Sequence, residues 1–114
     1  MPDKNDATGG NALIHVLAII TTKPGMRDTV LDAFRANVPA VHAEEGCIEY
    51  GAAIVTAGAG PIQAALGPDT FGVVEKWASL DALKAHAAAP HMAAYGAKTK
   101  DHVVSRTIHV LSPA

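Results

Sequence analysis

Phe71-Gly72-Val73-Val74-Glu75-Lys76-Trp77 runs into Ala78-Ser79-Leu80-Asp81-Ala82-Leu83-Lys84-Ala85-His86 and then into Ala87-Ala88-Ala89-Pro90-His91. The first seven residues alternate, so Phe71, Val73, Glu75 and Trp77 share one face of a strand. One carboxylate therefore stands in an apolar row. Ser79 has the hydroxyl that a helix N-cap needs and Asp81 lies in the first turn. Leu80, Leu83 and Ala87 then recur at helical spacing as the expected buried stripe, with His86 beside it. Pro90 ends this helix.

The flanking sequence supplies the other elements. Leu13 to Thr22 is rich in Leu, Ile and Val on both faces, which predicts a central strand covered on two sides. Pro24-Gly25 makes a turn. Val30, Leu31, Phe34, Val38 and Val41 mark a long amphipathic helix from Met26 to about Glu44, which Pro39 is expected to kink or break in two. A second strand is read over Cys47 to Val55. The Gly- and Ala-rich stretch from Thr56 to Pro68 links it to the third and has room for one short helical turn. A short helix after Pro90 contains Met92 and Tyr95, and Val103 to Leu111 closes the chain as a strand. The order βαββααβ predicts a ferredoxin-like α+β fold, with a four-stranded antiparallel sheet carrying helices on one face. The other face, also apolar, needs a partner.

Composition bounds the alternatives. The 114 residues suit one core: residues 1–12 read as a polar, disordered tail without function, and residues 13–114 as a single domain. Nine Lys and Arg against eleven Asp and Glu give a charge of -2 without runs of either sign, so nothing points to nucleic acid or an anionic membrane surface. The longest apolar run, Val16 to Ile20, is too short to span a bilayer. Cys47 is the only cysteine, and no signal-peptide pattern opens the chain, so a reducing cytoplasm is the expected compartment.

The six histidines divide by context. His15 and His109 fall on strands and read as structural, His42 borders the long helix, and His102 precedes the last strand. His86 and His91 flank the proline break and are the candidates for contact with a ligand, against the plainer reading of an imidazolium at a helix C-terminus. No His-Glu-x-x-His or Cys-x-x-Cys spacing is present, so no dedicated metal site is expected. The glycines do not make a phosphate loop, and no nucleotide cofactor has a visible seat. Tyr50 and Trp77 read first as core aromatics. Glu75 must either pair with a cation, with His15, Arg106 and His109 as candidates, or titrate upward through desolvation.

Glu75, Trp77, Ser79, His86, Pro90 and His91 together resemble the antibiotic biosynthesis monooxygenase family. So do Lys23-Pro24-Gly25 after the first strand and Glu44-Glu45-Gly46-Cys47 followed by Tyr50, where Glu45 replaces the family's proline. The resemblance implies a homodimer in which two sheets pack into an α/β barrel, and cofactor-independent oxygenation of a phenolic, quinol or polycyclic molecule. It implies His86 as a base, Glu75 as an orienting or structural acid, and Tyr50, Trp77, His91 and Tyr95 as walls of the substrate pocket. A haem-degrading branch uses an Asn, a Trp and a His that align at Ala18, His86 and Gly96, so none is retained. A noncatalytic ligand-binding barrel and an isomerase of a small carbonyl compound are the alternatives that the same fold admits.

Overall fold

A computed structural model describes residues 12–114, and the tail expected over residues 1–12 lies almost wholly outside them. Strands β1 (Ile14–Thr22), β2 (Cys47–Ala53), β3 (Thr70–Trp77) and β4 (Val103–Leu111) form one antiparallel sheet in the order β2-β3-β1-β4. Helix α1 (Arg27–His42) lies between β1 and β2, and α2 (Leu80–Ala87) and α3 (Pro90–Thr99) lie between β3 and β4. This is the ferredoxin-like α+β plan that the sequence predicts.

Pairing registers decide what each face carries. Ile14, Val16, Ala18 and Ile20 lie opposite Trp77, Glu75, Val73 and Phe71, so two alternating strands place a single row of side chains beneath the helices. Those eight residues are all buried. Val30, Leu31, Phe34 and Val41 of α1 pack onto them. Phe34 stacks on Tyr50 at 5.0 Å and meets Phe71 and Tyr95 edge-on. On the opposite face Leu17 and Leu111 remain 45% and 43% exposed. His15 and His109 fall on that same face, away from Glu75.

Helix α1 is continuous through Pro39 and does not divide in two. Pro39 sits on its exposed side, near the last turn, where water can satisfy the carbonyl that loses its donor. Val41, fully buried beyond it, keeps the final turn docked. Strand β2 ends at Ala53, two residues sooner than its sequence indicates, and the linker holds one 3-10 turn at Gly60–Ile62. In α2, Ser79 accepts from the Ala82 amide as the expected N-cap. Its buried residue, however, is His86: Leu80 is exposed and so is Ala87. The short helix turns its polar residue inward because that residue has partners there.

Gly46 turns the chain into β2 at φ +84°, and a Cβ on it would lie 2.6 Å from the Ala82 Cβ of α2. Gly25 has a similar φ of +78° but open space around it. Gly46→Ala is therefore expected to lose about 1–3 kcal/mol through combined strain and overpacking. Gly25→Ala should lose about 1 kcal/mol through strain alone. Urea unfolding of both variants checks the ranking.

Candidate active site

Between the sheet and the two short helices lies a cavity of about 620 Å³. Val16, Ala18, Ile20 and Val73 make its floor, and Leu83, Met92 and Tyr95 line it from the helices. Edge strand β4 borders it with Arg106, Ile108 and Val110, and the last two are exposed. One end is polar. There Glu75, Tyr50 and His86 face the apolar remainder.

His86 is 5% exposed, and its position is held from three sides. Its ring lies 4.7 Å from Trp77 and 5.4 Å from Tyr50, centroid to centroid. Its Nδ1 lies 2.8 Å from Oε2 of Glu44, in the turn between α1 and β2. An ionised carboxylate can only accept, so Nδ1 carries the proton in this pair. In the neutral ring Nε2 is then the unprotonated nitrogen of a side chain that lines the cavity. This is the arrangement a general base requires.

Glu75 is 8% exposed, and its Oε1 accepts from the Trp77 indole N–H at 2.8 Å. Burial pushes its carboxyl up from the usual range, while the Trp77 hydrogen bond and nearby His86 oppose the shift. Of the two outcomes expected from the sequence, desolvation favours the upward shift: His15 and His109 occupy the other sheet face, and Arg106, on the cavity face, lies opposite Ile20, two rows from the Val16 that faces Glu75. Burial also raises the phenols of Tyr50 and Tyr95, with Glu75 adding to the first and Arg106 opposing the second. Both are thereby kept as neutral hydroxyls. Burial raises the Cys47 thiol, followed by Glu44 and Glu75, which disfavours a thiolate there.

Tyr50, Glu75, His86 and Tyr95 thus meet in the cavity wall, whereas Trp77 and His91 stand behind it and are not among the lining residues. His91 also reaches Glu44, with Nε2 at 2.9 Å from the same Oε2, and its ring centroid lies 6.5 Å from that of His86. Its Nδ1 lies 3.2 Å from Asn37 Oδ1. Glu44 and Asn37 were not singled out as site residues from sequence. Glu44 is separated from His86 by 42 positions and sits in a turn motif that explains it without chemistry. Among the described residues no three His, Cys, Asp or Glu side chains are grouped to hold a metal ion, and no helix is long and apolar enough to cross a membrane.

Residues 13–98 match the family profile described as antibiotic biosynthesis monooxygenase. The chain belongs to that family. It is 40% identical over 103 residues to the protein named probable quinol monooxygenase YgiN of Escherichia coli K12, covering 89% of this chain and 98% of that protein. The counterpart from Shigella flexneri matches at the same identity and coverage. Among solved structures, PA3566 from Pseudomonas aeruginosa superposes with a TM-score of 0.76 at 20% identity, covering 94% of this chain and 99% of the other. Rv0793 from Mycobacterium tuberculosis does so at 0.74 and 22%, covering 90% and 96%. These likenesses establish the fold and the family, and the family is one of monooxygenases.

The Glu75 shift has a thermodynamic consequence. A carboxyl raised in the folded state binds its proton more tightly there than in the unfolded chain. Its contribution is thus most favourable below the ordinary Glu value and is lost as pH rises through the raised one. Glu75→Gln keeps an acceptor for Trp77 and removes the charge. The melting temperature of the variant should gain on that of the parent as pH rises above the ordinary carboxyl range of about 4. Calorimetry at several pH values measures it, and a constant difference would show that Glu75 does not titrate with folding.

Proposed function

We propose that the protein is a quinol monooxygenase that oxidises an electron-rich phenolic or quinol ring with molecular oxygen, using no cofactor. The observation that carries this reading is His86, buried at the polar end of an apolar cavity with Nδ1 committed to Glu44 and Nε2 left to accept a proton. A quinol bound with one hydroxyl at His86 loses that proton. The resulting phenolate is electron-rich enough to reduce oxygen itself, so the protein's share is to bind the ring, ionise it and keep water away. The family membership and the 40% identity to the E. coli protein support the choice of a quinol.

Each remaining residue has a part in this reading. Tyr50 and Tyr95, held as hydroxyls, give the cavity hydrogen-bond donors beside an apolar floor. Glu75 sits at the same end, where its desolvated carboxyl orients the Trp77 indole and senses the charge that appears on His86. Trp77 and His91 act on the substrate only through neighbours. The active unit is a homodimer, with the exposed apolar sheet face around Leu17 and Leu111 closed against a second copy. A cytoplasmic location accords with a free thiol at Cys47.

Aerobic and anaerobic incubation with a series of quinols, followed by oxygen consumption, tests the activity directly. Uptake that depends on the quinol and persists without added flavin, haem or metal is expected. Ligand-dependent melting with no uptake would favour a noncatalytic binder, and anaerobic turnover of a carbonyl compound would favour an isomerase. His86→Gln should lower kcat by about 10²–10⁴-fold and remove the acid-side fall in rate. A variant with the parent's rate and pH profile would put the base elsewhere.

Dimer formation is tested at Leu17. Leu17→Lys places a charge in the middle of the apolar face and should convert the dimer expected in sedimentation to monomer. A parent protein that sediments as a monomer at micromolar concentration would overturn the assembly.

A further inference from the structure

The two ends of the main cavity carry opposite chemistry. Glu75, beside His86, is the only carboxylate among the lining residues, which also include two cations, Lys100 and Arg106. The cations belong to the other end. Glu75 faces Val16 in the sheet register, whereas Arg106 faces Ile20, four residues further along β1. At about 3.3 Å per residue the two rows stand about 13 Å apart. Lys100 caps α3 just before the turn into β4, whose first residue pairs with Thr22, so it too falls at the Ile20 end. Val16, Ala18 and Ile20 make an apolar floor from one end to the other.

We propose that Arg106, assisted by Lys100, forms a carboxylate-binding subsite, and that the substrate is a hydroxylated aromatic acid of two or three fused rings. It lies along the floor with its phenolic hydroxyl at His86 and its carboxylate at the two cations. The subsite rests on the reading of this cavity as the substrate site and of His86 as the base.

The chemistry of the far end fits a carboxylate. A guanidinium presents paired N–H donors in the geometry that two carboxylate oxygens accept, and an ammonium adds a second positive charge. Among the described residues neither Arg106 nor Lys100 is paired with a carboxylate of the protein. Asp101 follows Lys100 in the chain but does not line the cavity. The Arg106 charge acts on the Tyr95 phenol, another lining group, and favours its ionised form, which makes the guanidinium a neighbour of the cavity wall. Thr99 offers no competing donor, because its hydroxyl donates to the Tyr95 carbonyl at 2.9 Å. Lys100 also complements the C-terminal end of α3. Arg106 has no such helix to serve: it stands on β4 at the alternate position between Val104 and Ile108. A cavity of about 620 Å³ has room for fused rings, and oxygen groups at their two ends come within reach of the His86 and Arg106 side chains.

Isothermal titration calorimetry under nitrogen with 6-hydroxy-2-naphthoate and its methyl ester reads the subsite without turnover. The ester keeps the rings and the hydroxyl and removes the charge. The parent should bind the acid about tenfold more tightly than the ester, a modest factor because Arg106 is exposed to solvent. Added salt should weaken the acid alone. Arg106→Gln should bring the two ligands within about twofold of each other by weakening the acid, and its unchanged affinity for the ester shows that the cavity is intact. Lys84→Gln removes an exposed charge of α2 that does not line the cavity and should leave the preference as it is. Equal binding of acid and ester by the parent, a preference that survives Arg106→Gln, or one that Lys84→Gln also abolishes would overturn the subsite. Oxygen uptake is scored separately. An Arg106-dependent preference without uptake on any quinol would uphold the subsite and refute the oxygenase reading, whereas uptake with equal KM for acid and ester would refute the subsite alone.

Discussion

Trp77 has no exposed surface, and the polar end of the cavity depends on where its indole lies. Its N–H satisfies Glu75, its ring supports His86, and its backbone pairs with Ile14 on one side and Cys47 on the other. A side chain that large can pack only if β1, β2 and β3 hold their register. A one-residue slip of β3 would carry Phe71, Val73, Glu75 and Trp77 to the opposite face and dismantle core and site together. Folding and chemistry therefore share one constraint.

That sharing sets the energetics of the two carboxylates. Glu75 is buried against a neutral donor, so its charge is opposed by desolvation and it stays responsive to whatever forms on His86. Glu44 is less deeply placed and faces two imidazoles. It fixes a tautomer through direct hydrogen bonding, which the indole contact of Glu75 cannot do. Two acids in one small site thus take different parts because their neighbours differ.

The strand and helix order was legible because alternation and helical spacing are local. The same holds for the face of Glu75, the Ser79 cap and the boundaries of β4. What was not legible is tertiary. Leu80 and Ala87 looked like core because apolar residues at that spacing usually are, yet His86 takes the inside of α2 once Glu44, Trp77 and Tyr50 surround it. Pro39 reads as a break until the exposed side of α1 is known. Glu44 carries no local mark of function, since an acid before a glycine turn has a sufficient structural explanation. His86, Tyr50 and Tyr95 stood out in the sequence and all three line the cavity, whereas Glu44, which bonds to His86, did not stand out.

Strand β4 is an edge, bonded only to β1, and it forms the outer wall of the cavity. The polar end lies instead on β3 and α2, where Glu75, Trp77 and His86 are buried. Substitutions at Val104, Arg106, Ile108 or Val110 can reshape the mouth without creating a void in the core, because those side chains are already open to solvent. The mouth of the cavity and its polar end are therefore mechanically separate. A lineage could reshape the mouth of the cavity along a single strand while inheriting His86, Glu44 and Trp77 unchanged.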